Sequence, residues 1–383
     1  MRRAILSAAS TTLEGGAALK ITGFRIGLLS AGLRVPFRTA LREVRRLEDV
    51  VVELQTSDGR TGRGEAPPTA AITGETLDSL IAALRDCICP RIVGRDIEEF
   101  RALLDEVQEA MVGNPSAKAA ADIALWDLYS QYCGLPVYKM LGGGTPRLET
   151  DLTISVNSPE IMAMDAEYGI YNGYNVLKIK VGIDPELDFA RLAAVRGAAK
   201  TAKIRIDANQ AWTPKQAVRL LNRMQDAGLD IELVEQPVKA YDLEGLKFVA
   251  ANSPVPVLAD ESVFSPRDAL RIMQERAADM VNIKLMKCGG LTNALRIVSA
   301  AEVYGVECMM GCMLEAKVSV TAAAHLACAR SAITRIDLDG PALCSEDPVE
   351  GGAIFEGSTI SLTEAPGLGI TGIDGLKYIF GLP

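Results

Sequence analysis

The chain has 383 residues, of which 49% are apolar and 23% are charged, and its formal net charge is -9. A single hydrophobic core stops growing at roughly 250 to 300 residues, so we expect one large domain with a smaller companion. No run of about 18 apolar residues occurs, which excludes a membrane span. The acidic balance argues against nucleic acid as a partner.

The first segment, residues 1–145, is predicted to form an α+β domain. Residues 1–20 carry two arginines and a short apolar run interrupted by Ser and Thr, which favours a frayed cytoplasmic extension over a signal peptide. A strand hairpin is then predicted from "ITGFRIGLL" and "DVVVELQTSDGRTGRGEA". Helices follow in "LDSLIAALRDCICPRI" and "SAKAAADIALWDLYSQYCG".

The middle segment, residues 146–345, alternates short β-rich runs with amphipathic stretches. The runs are "ETDLTISV", "NVLKIKVG", "KIRIDANQ", "IELVEQP", "VPVLADES", "MVNIKLMK", "VECMMG" and "ITRIDLDG". Eight strands with helical crossovers predict a parallel TIM-type (β/α) barrel.

The last segment, residues 346–383, comes too late for the barrel. In "GAIFEGSTISLTEAPGLGI" two short strands are joined by "EGS", and we expect them to return to the N-terminal domain and complete it. The predicted fold is therefore α/β, a modified TIM barrel with an N-terminal α+β capping domain completed by the C-terminal segment.

Histidine and cysteine offer little for catalysis. His325, the single histidine, lies in the alanine-rich helical pattern "TAAAHLACA" and is interpreted as structural. The eight cysteines are scattered, form no CxxC pair, and are interpreted as reduced packing residues. Acid–base chemistry must then come from Lys, Asp, Glu, Tyr or Cys.

Acidic residues end three consecutive barrel strands. The carboxylates are Asp207, Glu235 and Asp260, and polar side chains at Asn209 and Glu261 follow two of them. Strand C-termini form the active-site face of such barrels, where this cluster would repel itself unless a hard cation bound it. Mg²⁺, one per subunit, is the expected ion, whereas helix capping or pairing with Lys and Arg is the alternative.

Three lysines complete this face. Lys178 and Lys180 of "LKIKVG" share one side of the second strand, and Lys284 of "NIKLMKCGG" ends the sixth. Strands two and six are opposed in an eight-stranded barrel, so the lysines would face a bound ligand from two sides. Apposed cations and desolvation are expected to lower the lysine pKa values toward those of general bases.

A cation that binds a substrate carboxylate between two opposed lysines suits the removal of an α-proton and the stabilisation of an enediolate. If one lysine removes the proton and the other returns one, the stereocentre inverts. The same groups could serve a β-elimination or a cycloisomerisation, so the residues alone leave the overall reaction open.

The motifs "LKIKVG", "RIDANQAW", "VEQP", "ADES" and "NIKLMKCGG", in this order, resemble the muconate-lactonizing-enzyme subgroup of the enolase superfamily. The resemblance covers nearly the whole chain. It implies a capping domain over a modified barrel, with Mg²⁺ held by Asp207, Glu235 and Asp260. It also implies that Lys180 and Lys284 are the acid–base catalysts and that Lys178 steadies the substrate carboxylate.

The eighth strand carries Asp337 and Asp339 in "RIDLDGP". Their spacing of two puts both carboxylates on one face, where they can bind an ammonium group. This Asp-x-Asp resembles the mark of dipeptide epimerases, which bind the free α-ammonium of a dipeptide with it. The alternative is a solvated pair or one bound to Arg335.

The cap and the remaining loops indicate the substrate. "PFRTALREV" and "GEAPPTAAITGET" resemble the mobile loops of L-Ala-D/L-Glu epimerases, which implies that Arg42 meets the glutamate side chain. Without the resemblance, a solvated surface explains Arg42 equally well. By resemblance, Thr153, Cys312 and Leu314 also line the dipeptide pocket, whereas Glu315 has no assigned role.

The prediction is thus a cytoplasmic, Mg²⁺-dependent isomerase that inverts the C-terminal residue of a dipeptide from peptidoglycan turnover. Epimerisation of other, hydrophobic or charged dipeptides is one alternative. A cycloisomerase or succinylbenzoate synthase is another, and a non-catalytic barrel is a third. We expect a homo-oligomer.

Overall fold

The computed structural model describes residues 19–39 and 43–381. The predicted N-terminal extension therefore lies outside the described residues, apart from its last two. Among the described helices, none is long and apolar enough to cross a membrane.

The N-terminal domain consists of an antiparallel sheet and helices, as predicted. Its strands are β1 (Ile21–Arg38), β2 (Glu43–Thr56) and β3 (Thr61–Ala66). A π-helical segment (Ala83–Ile88) and a 3-10 turn (Ile97–Glu99) lie among the helices, which are α1 (Leu77–Ala82), α2 (Cys89–Ile92), α3 (Phe100–Glu109), α4 (Pro115–Tyr132) and α5 (Val137–Met140). Helix α4 packs directly on β3, and glycine at position 64 permits this close approach. A Cβ atom at Gly64 would lie 1.8 Å from the Ala120 carbonyl oxygen.

A short strand, β4 (Arg147–Glu149), precedes the barrel, and all eight predicted barrel strands are present in one parallel sheet. They are β5 (Leu152–Ile154), β6 (Val176–Lys180), β7 (Lys203–Asp207), β8 (Ile231–Glu235), β9 (Val257–Ala259), β10 (Met280–Ile283), β11 (Glu307–Gly311) and β12 (Ile333–Asp337). Buried Leu177 and Ile179 alternate along β6 with the lysines. The predicted α/β barrel with its α+β cap is confirmed.

Helices connect the barrel strands, and one more follows the last strand. They are α6 (Pro159–Tyr171), α7 (Pro185–Ala198), α8 (Pro214–Asp226), α9 (Leu243–Asn252), α10 (Pro266–Glu275), α11 (Leu285–Cys288), α12 (Leu291–Tyr304), α13 (Lys317–Ala329) and α14 (Gly340–Leu343). Four of them begin with a capping side chain followed by proline, at Ser158, Asp184, Thr213 and Ser265. Each cap accepts a backbone N–H that the first turn leaves unpaired, and proline at the first helical position needs no such bond.

The C-terminal segment divides between two sheets. The predicted hairpin is present as β14 (Ile354–Glu356) and β15 (Thr359–Ser361), whereas β13 (Val349–Gly351) pairs with β16 (Ile370–Ile373). Strand β15 of this hairpin pairs with β4, which lies just before the barrel, and not with the N-terminal sheet. The last strand, β17 (Lys377–Phe380), pairs with β1 and forms the edge of the N-terminal sheet. Domain boundaries near residues 145 and 345 stay a prediction.

Candidate active site

The three predicted carboxylates lie together at the C-terminal ends of the barrel strands. Asp207 ends β7 and is paired in register with Glu235, which ends β8, and Asp260 follows β9 directly. All three are buried. Parallel strands of similar length bring their ends to one rim, so the sequence pattern alone was sufficient to group them.

Lys180 and Lys284 approach this row of carboxylates from opposite sides of the barrel. Their strands, β6 and β10, are four apart in the sheet order. The Nζ atom of Lys180 lies 2.6 Å from Asp207 Oδ2, and that of Lys284 lies 2.7 Å from Asp260 Oδ2. Both side chains are more than nine-tenths buried, so these charge-assisted hydrogen bonds are shielded from water.

Lys178 lies deeper than Lys180 and contacts more carboxylates. Its Nζ atom is 2.6 Å from Asp337 Oδ2, 2.7 Å from Glu235 Oε2 and 3.3 Å from Asp207 Oδ2. The side chain is 2% exposed. Lys178 therefore links the row of carboxylates to the eighth strand.

The pKa values at this rim follow from the balance between burial and ion pairing. Burial acts against the charged form of Lys284, but Asp260 outweighs it, and the pKa of Lys284 is raised. The pKa of Lys178 is raised for the same kind of reason, with Asp337 as its main carboxylate partner. The expected lowering of the lysine pKa values is therefore wrong for these two, because carboxylates rather than other cations are their nearest charges.

The positions between neighbouring carboxylates are suited to cations. Lys178 Nζ lies within ion-pair distance of Asp207 and Glu235, and Lys284 Nζ lies 3.8 Å from Glu235 Oε1 and 2.7 Å from Asp260 Oδ2. Burial and repulsion from Asp207 nevertheless raise the pKa of Glu235 to about 8. The ammonium groups thus offset the burial of Glu235 and its repulsion from Asp207 only in part.

In the described ranges, no three His, Cys, Asp or Glu side chains are gathered closely enough to hold a metal ion, because the lysines lie between the carboxylates. The donor set of Asp207, Glu235 and Asp260 nevertheless consists entirely of carboxylate oxygen atoms at the ends of three neighbouring strands. Such a set fits a hard divalent cation such as Mg²⁺.

Two further residues hold Asp260, and the sequence interpretation missed both. Lys287, in the turn after Lys284, donates to the Asp260 carboxylate and to its carbonyl oxygen. Gln236, the glutamine of "VEQP", accepts from the Asp260 backbone N–H at 2.9 Å. The spacing of three between Lys284 and Lys287 was the available signal, since a helical turn places such residues side by side.

The predicted Asp-x-Asp pair of the eighth strand is buried. Asp337 accepts from Lys178, and Asp339 Oδ2 accepts from the backbone N–H of Thr153 at 2.6 Å. Arg335 instead pairs with Glu307, 2.7 Å away, so the alternative of an Arg335-bound pair is not what the structure shows. Burial and the Asp337 charge raise the pKa of Asp339 to about 6.

One pocket joins most of the predicted residues. Its lining includes the predicted residues Lys178, Lys180, Lys284, Asn209, Asp260, Glu261, Thr153, Cys312, Leu314, Asp337 and Asp339. It also includes Phe37, Thr39 and Ile72, which lie in the two segments predicted to form mobile loops, and Met313 and Leu343. Phe37 and Ile72 belong to the cap, so the cap covers the barrel mouth. Arg42 lies outside the described residues, and the flanks of its predicted loop form the paired ends of β1 and β2.

Glu315 belongs to a second buried group of carboxylates, which we call the junction cluster: Asp49, Glu65 and Glu315. Asp49 and Glu65 come from the cap and accept the backbone N–H of Ala316, at 3.1 and 2.7 Å. Glu65 and Glu315 both accept the Ser319 hydroxyl. The cluster therefore connects the cap to the barrel loop that includes Cys312 and Leu314.

His325 is structural, as predicted. Its Nδ1 accepts the backbone N–H of Tyr138 at 2.9 Å, and burial lowers its pKa to about 3. The eight cysteines are all free.

Fold and site together define a (β/α) barrel protein with opposed basic groups above a row of carboxylates. Comparison with known proteins assigns it further. Residues 26–142 match the family "Mandelate racemase / muconate lactonizing enzyme, N-terminal domain", and residues 162–374 match "Enolase C-terminal domain-like".

A relative from Clostridium acetobutylicum, named L-Ala-D/L-Glu epimerase, is 56% identical over 91% of this chain and 98% of its own length. The structure of a substrate-liganded L-Ala-D/L-Glu epimerase from Bacillus subtilis has a TM-score of 0.91 and is 48% identical, covering 92% and 99% of the two chains. A dipeptide epimerase from Enterococcus faecalis V583, complexed with Mg and L-Leu-L-Tyr, has a TM-score of 0.89 and is 41% identical, covering 92% and 100%. The chain belongs to the mandelate racemase/muconate lactonizing enzyme family of the enolase superfamily, which confirms the family predicted from its motifs.

Proposed function

We propose that this chain is a Mg²⁺-dependent dipeptide epimerase that inverts the α-carbon of the C-terminal residue, with L-Ala-D/L-Glu as its first candidate substrate. The observation that carries the proposal is the placement of Lys180 and Lys284 on opposed strands at one pocket. The C. acetobutylicum and B. subtilis relatives, both named for this reaction, support it.

Lys180 and Lys284 are the proton-transfer residues. One lysine removes the α-proton from one face, and the other delivers a proton to the opposite face of the enediolate, so the configuration inverts. Their carboxylate partners, Asp207 and Asp260, hold each Nζ in place. A substrate carboxylate that binds between these side chains would bring its α-carbon between the two lysines.

Asp207, Glu235 and Asp260 would hold Mg²⁺, with Asn209 and Glu261 behind them. Asn209 donates to Glu261 at 3.3 Å, which orients both side chains beside the metal carboxylates. Bound Mg²⁺ supplies positive charge next to the substrate carboxylate and so favours loss of the α-proton.

Asp337 and Asp339 form what we call the ammonium clamp, which binds the free α-ammonium of the dipeptide. Both are buried, so a pairing with an ammonium group would be strong there. Lys178, which donates to Asp337, contributes the positive charge that orients the substrate carboxylate. Thr153, Cys312 and Leu314 form the adjoining pocket wall, and Arg42 would meet a glutamate side chain.

A second candidate is an epimerase of hydrophobic dipeptides. The pocket lining also has an apolar part, formed by Phe37, Ile72, Met313 and Leu343. The Enterococcus faecalis epimerase complexed with L-Leu-L-Tyr supports it. The two candidates differ in whether the C-terminal side chain meets Arg42 or this apolar surface.

The experiment is a screen of an L,L-dipeptide library with added Mg²⁺, read by chiral chromatography. We expect inversion of the C-terminal residue, with L-Ala-L-Glu turned over faster than L-Leu-L-Tyr. The reverse order favours the second candidate, and no inversion of any dipeptide contradicts the proposal.

An Asp337→Asn variant separates an epimerase from a cycloisomerase or succinylbenzoate synthase of the same family. The substrates of those lyases carry no ammonium group, so their turnover should not need the clamp. We expect kcat/KM for dipeptides to fall by about a hundredfold, because the variant leaves the ammonium without its charged partner. Lyase activity that survives the substitution would contradict the dipeptide assignment.

We also propose a cytoplasmic homo-oligomer that acts on dipeptides from peptidoglycan turnover and binds neither nucleic acid nor membranes. Its domains are the cap (1–145), the barrel (146–345) and the C-terminal segment. The formal charge of -9 supports the exclusion of nucleic acid. Light scattering tests the assembly, and a monomer at micromolar concentration would contradict it.

A further inference from the structure

The barrel has one irregular seam, between its first and last strands. Pairing in the sheet runs from β5 to β12, and no ladder joins these two strands in the part of the chain that is described. The seam is instead held by single contacts. The backbone N–H of Asp151 donates to the Ile336 carbonyl oxygen at 3.3 Å, and that of Leu338 donates to Thr150 Oγ1 at 2.8 Å.

The ammonium clamp lies on this seam. Asp337 and Asp339 flank Leu338, and Asp339 is bonded across the seam to Thr153. Sheet pairing holds Asp337 on one side only, where β12 pairs with β11, and Asp339 lies beyond the end of the strand. On the seam side, the geometry of the clamp therefore depends on the side chains that reach the seam.

Arg205 reaches the seam from β7, two strands away. It is paired in register with Lys178, so both side chains point into the barrel. Its Nη1 donates to Asp151 Oδ2 at 2.8 Å and to the Ile336 carbonyl oxygen at 3.0 Å. Its Nε donates to Glu232 Oε2 at 2.7 Å, which fixes the guanidinium plane.

Arg205 also sets the charge beneath the clamp. Asp151 is 1% exposed, and burial together with repulsion from Asp337 raises its pKa, whereas Arg205 opposes that rise. The other carboxylate oxygen of Asp151 has no hydrogen-bond partner among the described residues. Without Arg205, three buried carboxylates would share one region with Lys178 as their nearest cation.

We propose that Arg205 is a positioning residue for the ammonium clamp: it holds the end of β12 at Ile336 and neutralises Asp151, so that Asp337 and Asp339 remain available to the substrate ammonium. The inference rests on the proposed function, because it concerns recognition of a free amino group. Arg205 touches neither the reacting carbon nor the proton-transfer lysines; it acts through the clamp.

The test compares L-Ala-L-Glu with N-propionyl-L-glutamate, which differs from it only in lacking the ammonium group. The measured quantities are KM and kcat for the dipeptide, and the inhibition constant of the analogue, at saturating Mg²⁺. For Arg205→Met we expect KM to rise about tenfold to a hundredfold, and kcat and the inhibition constant to change less than about threefold. Arg205→Lys should lie between Arg205→Met and wild type, since one ammonium group cannot bond Asp151, Glu232 and Ile336 together.

The double variant Asp151→Asn/Arg205→Met distinguishes a specific effect on the clamp from a general loss of folded protein. It removes the carboxylate that Arg205 neutralises, so we expect it to recover part of the lost dipeptide affinity. Equal losses for dipeptide and analogue, or no recovery in the double variant, would show a merely structural role and overturn the inference. A wild-type enzyme that does not discriminate between the two ligands would instead disprove the clamp, and with it the proposed function.

Discussion

The molecule has two buried groups of carboxylates that differ in the hydrogen-bond donors around them. At the barrel mouth, Asp207 and Asp260 each accept from a lysine, at 2.6 and 2.7 Å. In the junction cluster, Asp49, Glu65 and Glu315 accept from backbone N–H groups and a hydroxyl, and no Lys or Arg of the described chain forms an ion pair with them.

The pKa values of the lysine-paired Asp207 and Asp260 differ from those of Asp49 and Glu315. Burial works against ionisation of Asp207 and Asp260, but Lys180 and Lys284 outweigh it and lower both pKa values. For two members of the junction cluster burial dominates: the pKa of Asp49 is raised well above its usual value and that of Glu315 to about 7. Asp207 and Asp260 are thus held in the charged form by their lysines, whereas burial favours the protonated form of Asp49, which has no such partner among the described residues.

The largest expected effect is at the mouth. Lys180→Met and Lys284→Met should each lower the rate of epimerisation by at least about a thousandfold, because each variant lacks one of two proton-transfer groups. The remaining lysine still faces one side of the α-carbon, so each variant should exchange the α-proton of one epimer without inverting it. Proton NMR in D₂O measures both rates.

The matched control for these variants is Lys247→Met, since Lys247 is exposed on α9. It should behave as wild type. Full epimerisation by either mouth variant would mean that its lysine is not a base.

Metal removal should have the next largest effect. Chelation with EDTA should abolish turnover, and added Mg²⁺ should restore it. Mg²⁺ at a hundred times its dissociation constant should stabilise the fold by about 2.7 kcal/mol, because it binds the folded chain alone. Thermal melting measures this, and the shift should be absent in Asp260→Asn. A shift of wild-type size in that variant would place the metal elsewhere.

A pH experiment tests the junction cluster. With its pKa raised to about 7 from a usual 4.5, folded Glu315 keeps a proton that the unfolded chain loses, so the free energy of unfolding falls between about pH 4.5 and 7. This shift corresponds to about 3 kcal/mol. Glu315→Gln should flatten that part of the stability curve, as measured by urea unfolding at fixed Mg²⁺.

Glu109→Gln, at an exposed glutamate of α3, is the control and should keep the wild-type slope. An unchanged slope in Glu315→Gln would mean that Glu315 is ionised in the folded protein. The contrast between the two carboxylate groups would then fail.

The smallest effect is expected at the surface. Arg271 and Glu275 form an ion pair one helical turn apart on α10, with side chains 66% and 31% exposed. Arg271→Ala should change the free energy of unfolding by less than about 0.5 kcal/mol, because water screens the pair. A larger loss of unfolding free energy, measured by urea unfolding, would show that burial does not determine how much an ion pair contributes to stability.

The grouping of side chains at the barrel mouth could be predicted because it depends on sequence patterns within single strands. Alternation along "LKIKVG" and the position of Asp207 at a strand end place both side chains without knowledge of any distant contact. The junction cluster and the seam could not be predicted in this way, since Glu65 meets Ala316 and Arg205 meets Ile336 across more than a hundred residues. The pairing of β15 with β4 was not predicted for the same reason, because strand pairing between distant segments leaves no periodic signal.

The most direct test of the account is deuterium incorporation by the wild-type enzyme. L-Ala-L-Glu incubated in D₂O with Mg²⁺ should acquire deuterium at the glutamate α-carbon as it inverts, because the lysine that returns the proton draws it from solvent. Inversion with the original α-proton retained would contradict a mechanism in which one of Lys180 and Lys284 removes that proton and the other delivers a different one.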